Sequence, residues 1–201
     1  MKFKDFQKKM QKGIFALSEA SRVAWDTAPA TLNLQLHQWV KSGELLRLKR
    51  GVYAFPGKIS GQTEVGPLLY APSYISLESA LHYYGLLPDV VFSLTLVTTK
   101  ATRHFKTALG DFDYRHLKKD LFWGYDPDSC MASQEKAMVD YCYLYSGRLL
   151  PTDECWDALR WQHLKEVDFR KAKAYAKKTR VRKVFELITS LESYGKSKKN
   201  R

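Results

Sequence analysis

Four side chains in the middle of the chain are of the types that metal-dependent nucleases use: Asp111, Asp113, Glu135 and Lys136. In such enzymes carboxylates hold the divalent cation that assists hydrolysis. Glu135 and Lys136 are adjacent and so lack the E-x-K spacing that places both on one face of a strand. They also fall in a predicted helix, where Glu135 in the first turn complements the helix dipole. A restriction-like nuclease is therefore kept only as an alternative.

Other catalytic signatures are absent from the sequence. It contains no P-loop, no dinucleotide-binding fingerprint, no nucleophile elbow and no H-E-x-x-H pair. The five histidines lack metal-ligand spacing: His37, His82, His104, His116 and His163. The residues therefore indicate a protein that is not an enzyme, with no metal and no cofactor.

A different chemistry, the reading of DNA, is suggested by residues 30–42. On a helical wheel Leu32, Leu36, Trp39 and Val40 form a buried stripe. The opposite arc holds small, amide and cationic side chains, which suit a major-groove reading face because glutamine can bond adenine and threonine can touch thymine. The candidate DNA-binding residues on this helix are Thr31, Leu34, Gln35, Gln38 and Lys41.

The residues that follow have the pattern of a wing. Two apolar strands, residues 45–48 and 52–55, are joined by Lys49-Arg50-Gly51, in which glycine permits the turn and two cations lie at the tip. Lys49 and Arg50 are therefore candidate contacts to the DNA backbone, which would position the protein without reading sequence.

Two further helices are needed to position this one. The spacing of Phe3, Phe6 and Met10 predicts the first helix, and Ser18 is expected to cap the second. Thr27 is expected to cap the third helix, with Gly43 beyond its end. Residues 1–58 therefore have the proportions of a winged helix-turn-helix.

The distribution of charge supports a polyanionic partner. Of the net charge of +12, residues 1–58 carry +7, residues 59–150 carry −2 and residues 151–201 carry +7. Basic ends gain affinity for nucleic acid by releasing condensed counterions.

No apolar run is long enough to span a bilayer, so a cytoplasmic protein without membrane contact is expected. Cys130, Cys142 and Cys155 are expected to be reduced core thiols.

The rest of the chain predicts a mixed α/β domain over 67–150 and a basic helical extension over 151–201 that ends in a frayed tail. The linker after the wing is predicted at residues 56–61, with further breakers at Gly66 and Pro67. Ser76 is expected to cap a helix, residues 92–99 to form a strand with one half-buried face, and Ser133 to start a helix with one apolar stripe. Strands are also predicted at 110–116 and around 121–125. The fold class is α+β.

Five segments in this order resemble the AbiEi-type antitoxins of abortive-infection (type IV) toxin-antitoxin systems. They are Gly43–Tyr53, Tyr74–Leu86, Val97–Lys100, Phe122–Tyr125 and Ala132–Ala137. The likeness covers roughly residues 10–150. It implies a winged helix that represses its own operon and a second domain that counters a nucleotidyltransferase-class toxin without a stable complex. Double-stranded operator DNA, as paired half-sites, is the implied partner.

A third reading is an RNA-binding module in the C-terminal segment. Eight cations crowd a short stretch there, with Phe169, Tyr175 and Phe185 interleaved: Arg170, Lys171, Lys173, Lys177, Lys178, Arg180, Arg182 and Lys183. Such a surface could bind phosphates and stack bases with little sequence preference. The alternative is that the aromatic residues pack inward and the cations form a solvated face.

Overall fold

The computed structural model describes residues 1–88 and 92–197, and its fold is α+β. The chain divides into two compact units. The first comprises Met1–Val65 and Phe105–Asp111, and the second comprises Gly66–His104 and the residues from Phe112 onward. The predicted segment 151–201 thus belongs to the same unit as the segment 67–150, except for Phe105–Asp111 of the latter. The predicted frayed tail beyond Ser197 lies outside the described residues.

The first unit consists mainly of three helices and a small sheet. Its elements are α1 (Phe3–Lys9), β1 (Ile14–Ala16), α2 (Leu17–Val23), α3 (Pro29–Lys41), β2 (Leu46–Lys49) and β3 (Val52–Ala54), followed by a 3₁₀ turn at Pro56–Lys58. The strand β3 lies between β1 and β2 and pairs antiparallel with both. The predicted helices and both wing strands are confirmed, whereas β1 was not predicted because three residues are too few to show a period.

The remaining elements build a larger sheet with helices against it. The helices are α4 (Gln62–Leu69), α5 (Leu77–Tyr83), α6 (Gln134–Leu144), α7 (Asp153–Ala158), α8 (Phe169–Lys178) and α9 (Arg182–Ser197). The strands are β4 (Ser73–Ile75), β5 (Ser93–Thr98), β6 (Arg103–Thr107), β7 (Gly110–His116), β8 (Tyr125–Asp126) and β9 (Met131–Ala132).

The six strands of this sheet lie in the order β6-β7-β5-β4-β9-β8. Near its centre β4 pairs antiparallel with β5 and parallel with β9. The helix α5 packs on β5 and on α6, and α6 in turn packs against α8 and α9. The helix α6 is thereby surrounded, and eight of its eleven residues are buried.

A buried ion pair lies at the centre of the second unit. Lys136 and Asp140 are one turn apart on α6, and their side chains are 1% and 2% exposed. The Asp140 carboxylate also accepts hydrogen bonds from the Tyr74 and Ser76 hydroxyls, at 2.9 Å each. Burial raises the pKa of Asp140 and lowers that of Lys136, while the attraction between the two groups opposes both shifts. Each charge therefore needs the other to remain in the interior.

Three predicted caps are wrong. Ser18 lies inside α2, whose N-cap is Ala16, and Thr27 precedes the actual N-cap of α3, Ala28. Ser76 does occupy the N-cap position of α5, but its hydroxyl makes no cap bond and donates to Asp140 instead. A buried carboxylate requires donors, so the tertiary contact takes precedence over the local one.

The predicted burial patterns are also corrected. The strand β5 is buried on both faces over most of its length, rather than half-buried, because α5 covers one side. The helix α6 has no single apolar stripe, since it buries Glu135, Lys136 and Asp140 as well as apolar residues.

Two local predictions fail because tertiary contacts override weak local signals. Gly66 and Pro67, expected to break regular structure, lie within α4. An added Cβ at Gly66 would come within 2.7 Å of Leu94 Cδ2, so this glycine permits a close approach of helix and sheet. The strand predicted around 121–125 is reduced to the two residues of β8, whereas the strand at 110–116 is confirmed.

The three cysteines are free thiols. Cys142 is buried, while Cys130 and Cys155 are half-buried. Within residues 1–88 and 92–197, no helix has both the length and the apolar character needed to cross a bilayer.

The ion pair yields a stability prediction. Lys136→Met should lower the free energy of unfolding by about 3–5 kcal/mol, because it leaves the Asp140 carboxylate buried without its counter-charge. The double variant Lys136→Met/Asp140→Leu should lose clearly less than the sum of the two single variants, as contacting partners are not additive. Urea unfolding of the four proteins measures this, and additive losses would contradict a coupled pair.

Candidate nucleic-acid interface

The first unit has the element order of a winged helix-turn-helix. The helices α2 and α3 are joined by the short turn at residues 24–28, and the strands β2 and β3 form a hairpin directly after α3. In this arrangement the second helix of the pair enters the major groove and the wing lies beside it. The predicted reading helix, residues 30–42, coincides with α3.

An aromatic core holds α3 in place. The ring centroid of Phe6 lies 5.1 Å from that of Trp39 and 5.5 Å from that of Phe15, and Phe15 lies 5.2 Å from Phe55. Phe6 lies in α1, Trp39 in α3 and Phe15 in β1, and Phe55 directly follows β3. The cluster therefore joins α1, α3 and the sheet. The predicted stripe residues Leu32, Leu36 and Trp39 are buried in this cluster, and Val40 is partly buried against it. Burial of this stripe turns the opposite face of α3 outward.

A carboxylate fixes the start of α2. Glu19 accepts a hydrogen bond from the Ala16 backbone N–H at 2.8 Å and from Lys12 Nζ at 2.6 Å. The hydrogen bond from Lys12 and that from the Ala16 N–H hold the pKa of Glu19 below its usual value. Glu19 thus caps the helix from its third position, a role that the sequence analysis gave to Ser18.

Four of the predicted α3 residues lie together on its outer face. Thr31, Leu34, Gln38 and Lys41 are all exposed, and their spacing of three and four residues aligns them along one side of the helix. Leu34 is 57% exposed, which is unusual for an apolar side chain and suits contact with a thymine methyl group. The structure therefore brings these four candidates into one surface.

Gln35, the fifth candidate on α3, is placed differently. It is half-buried, and its Nε2 donates to the Met1 backbone carbonyl at 3.1 Å. Its Oε1 is buried and has no hydrogen-bond partner among the described residues. The Gln35 amide therefore contacts the N-terminal segment, and base reading by this residue stays a prediction that requires the amide to leave that contact.

The wing tip presents Arg50 to solvent. Gly51 takes a left-handed φ of +73°, and its carbonyl accepts a hydrogen bond from the Leu17 N–H at 2.8 Å. This bond fixes the wing to the start of α2. Lys49 is half-buried, with its Nζ 5.6 Å from the centroid of the Phe105 ring. Of the two predicted wing cations, Arg50 is exposed and Lys49 is not.

The structure adds residues that the sequence analysis did not name. Trp25, in the turn between α2 and α3, is 81% exposed, and Arg47 is exposed on β2. A tryptophan in a predicted turn is a signal that could have been noticed, since exposed large apolar side chains mark contact surfaces. The exposure of Arg47 depends on the pairing register of β2, which shifts between Arg47 and Lys49.

Three of the four residues of the nuclease alternative have other partners. Asp113 accepts hydrogen bonds from Ser93 at 2.6 Å and from His104 at 2.8 Å, Glu135 pairs with Lys171 at 2.8 Å, and Lys136 pairs with Asp140. The part of the chain that the structure describes holds no group of three or more histidine, cysteine or acidic residues arranged to bind a metal ion. Asp113, Glu135 and Lys136 thus each have partners other than one another.

Comparison with known families assigns the first unit. Residues 9–56 match the family model described as transcriptional regulator, AbiEi antitoxin. The resemblance predicted from the sequence is thereby confirmed over the segment that forms most of the winged helix, including all of α3 and the wing. The match supports DNA binding by this segment and its similarity to antitoxin transcriptional regulators. No curated protein shows significant similarity to the chain.

The exposed residues of α3 and of the wing should affect DNA binding in different ways. Gln38→Ala should reduce discrimination between operator and random DNA by about 1–3 kcal/mol, because a bidentate base contact is lost. Arg50→Ala should weaken binding to both DNAs alike and lower the salt slope by about one unit, because a phosphate contact is lost. Fluorescence anisotropy titrations at several salt concentrations measure both, and equal effects of the two variants would contradict these roles.

Proposed function

We propose that this chain represses its own operon and is the antitoxin of a type IV abortive-infection system, countering a nucleotidyltransferase-class toxin. The observation that carries the proposal is the coincidence of two findings. The family match covers residues 9–56, and this same segment folds into a winged helix whose α3 presents Thr31, Leu34, Gln38 and Lys41 outward. A regulator of this family requires such a surface to read an operator.

Repression would result from occlusion of the promoter. Phosphate contacts, with Arg50 at the wing tip, supply affinity and position, while α3 supplies the choice of sequence. Residues 1–58 carry a net charge of +7, which favours association with DNA before specific contacts form. Paired half-sites as inverted repeats suit this fold, since two winged helices can then read equivalent sequences.

We propose that the second unit has the antitoxin role. It is larger than the winged helix, and four of the five segments that resemble the antitoxins lie in it. One of these segments, Ala132–Ala137, contains the buried Lys136, and two others, Tyr74–Leu86 and Phe122–Tyr125, supply aromatic rings beside its ammonium group. In type IV systems the antitoxin acts without a stable complex with its toxin, and we propose the same for this unit.

The second candidate function is RNA binding by the C-terminal helices, because exposed cations are concentrated there. Arg170, Lys177, Lys178 and Arg180 are exposed on and just after α8. Other cations of the run are paired with carboxylates: Lys171 with Glu135, Lys173 with Glu192 and Arg182 with Glu186. Phe169, Tyr175 and Phe185 are half-buried rather than free for stacking. The surface therefore fits phosphate contact better than base stacking.

Promoter binding is the first test. The purified chain should shift its own upstream DNA in preference to scrambled DNA of equal length, and higher salt should weaken the complex. A Thr31→Ala/Gln38→Ala variant should lose the preference while keeping salt-sensitive binding to both DNAs. Equal binding of the wild type to both DNAs would contradict a repressor, and stronger binding to a single-stranded RNA competitor would favour the second candidate.

Co-expression tests the antitoxin role separately. Growth arrest caused by a nucleotidyltransferase-class toxin encoded beside this chain should be relieved by the chain, and affinity purification should recover no stable complex. The Thr31→Ala/Gln38→Ala variant, expressed from a foreign promoter, should relieve the arrest equally well, since its second unit is unchanged. Continued arrest in the presence of the folded wild-type chain would overturn the antitoxin assignment without affecting the repressor assignment.

A further inference from the structure

The second unit contains two adjoining cavities that the proposed function does not use. One, of about 360 Å³, is lined by residues of α5, β5, β7 and α6, and the other, of about 380 Å³, extends toward α7. They share five lining residues: Glu78, Arg115, Tyr141, Tyr145 and Leu159. Cavities of this size are typical of small-molecule sites.

The shared wall contains an unsatisfied acceptor. Glu78 Oε2 is buried, and the described residues offer it no hydrogen-bond partner. The Tyr145 hydroxyl lies beside this carboxylate: burial first, then the negative charge of Glu78 and a hydrogen bond to Glu78, raise the pKa of Tyr145. A buried carboxylate oxygen without a donor is costly, and native proteins rarely leave one so. The Glu78 carboxylate lines both cavities, so a cationic or amino group on a bound molecule would compensate its charge.

Two other polar side chains of this wall, Asp113 and Thr95, are already engaged. Both Asp113 oxygens accept hydrogen bonds, one from Ser93 and one from His104. The Thr95 hydroxyl donates to the Ser76 carbonyl and accepts from the Ser79 N–H. Of the two carboxylates in this lining, Glu78 and Asp113, Glu78 is the one with an unbonded oxygen, and its charge suits an amino group on the ligand.

Two guanidinium groups face the same cavities from other elements. Arg115 on β7 lines both cavities, and Arg148, after α6, lines the second. Both are exposed, and within the described ranges neither lies in an ion pair. Unpaired guanidinium forks match the geometry of carboxylate and phosphate. An anionic group on the ligand fits this end of the site.

Aromatic and aliphatic side chains complete the walls. Tyr141 and Tyr145 are one turn apart on α6, with ring centroids 4.8 Å apart in an edge-to-face arrangement. Leu87 and Leu159 add apolar surface. A flat or apolar body between the amino and anionic groups of the ligand would be buried against them.

We propose that these adjoining cavities bind a small anion that also carries an amino group, with the amino group on Glu78 and the anionic group between Arg115 and Arg148. Two sources share this chemistry: a nucleoside monophosphate whose base has an exocyclic amino group, and an amino acid with an aromatic side chain. This site is independent of the winged helix and of the proposed operator binding.

Isothermal titration calorimetry of the full chain tests the site with matched ligands. Adenosine monophosphate is compared with purine riboside monophosphate, which lacks the exocyclic amino group, and phenylalanine is compared with 3-phenylpropionate, which lacks its amino group. One amino-bearing ligand should bind at least about tenfold more tightly than its partner, because without the amino group the carboxylate loses a charge-assisted hydrogen bond. The pair that shows this difference identifies the source.

Variants separate the two ends of the site. Glu78→Gln should abolish the preference for the amino-bearing ligand, and Arg148→Leu should weaken binding of both members of the pair by about tenfold or more. Arg148 is exposed, so its replacement leaves the fold intact, and the exposed Arg103→Leu, outside the cavity lining, is the matched control that should bind as the wild type does. Absence of binding by all four ligands, or binding unchanged in both site variants, would overturn the proposal.

Discussion

The second unit depends on the ion pair between Lys136 and Asp140. Two charges in an interior are tolerated only if each is compensated, and the protein supplies this compensation from several directions. Asp140 accepts from the Tyr74 and Ser76 hydroxyls, while the Lys136 ammonium lies 4.8 Å from the centroid of Trp123. The pair thus determines the placement of β4, of the start of α5 and of the loop before β8.

The same requirement explains why certain residues lie where they do. Gly124 has a φ of +81°, and a Cβ on it would lie 3.0 Å from Lys136 Cγ, so the loop can pass the lysine stem only as glycine. The neighbouring Glu135 is held by Lys171 of α8, which ties the C-terminal helices to α6. The segment Ala132–Ala137, which resembles the antitoxins, is therefore explained by packing around a charge. This account requires no catalytic role for Glu135 or Lys136.

In the winged helix, an aromatic cluster has the organising role that the ion pair has in the second unit. Phe6, Phe15, Trp39 and Phe55 fix α3 through its apolar stripe, and the outward direction of Thr31, Leu34, Gln38 and Lys41 follows from that stripe. The surface proposed to read DNA is thus set by what the helix buries on its other side. Rigid placement of this kind matters because base contacts need accurate geometry.

The sequence by itself determined the features that depend on short-range periodicity. The 3.6-residue period of Leu32, Leu36 and Trp39, together with Gly43 and Gly51 at turns, sufficed to predict α3 and the wing, and the family match to residues 9–56 agrees with this. Local patterns succeed here because the buried face and the helix repeat are properties of neighbouring residues.

Only the tertiary structure decided how polar residues are used, because their partners are distant in the chain. It directed the Ser76 hydroxyl to Asp140, 64 positions away, and the Gln35 amide to Met1, 34 positions away. It buried β5 on both faces and left the Glu78 oxygen unsatisfied in a cavity wall. A buried polar group is satisfied by whichever donor or acceptor the fold brings close, and no period in the sequence records that choice.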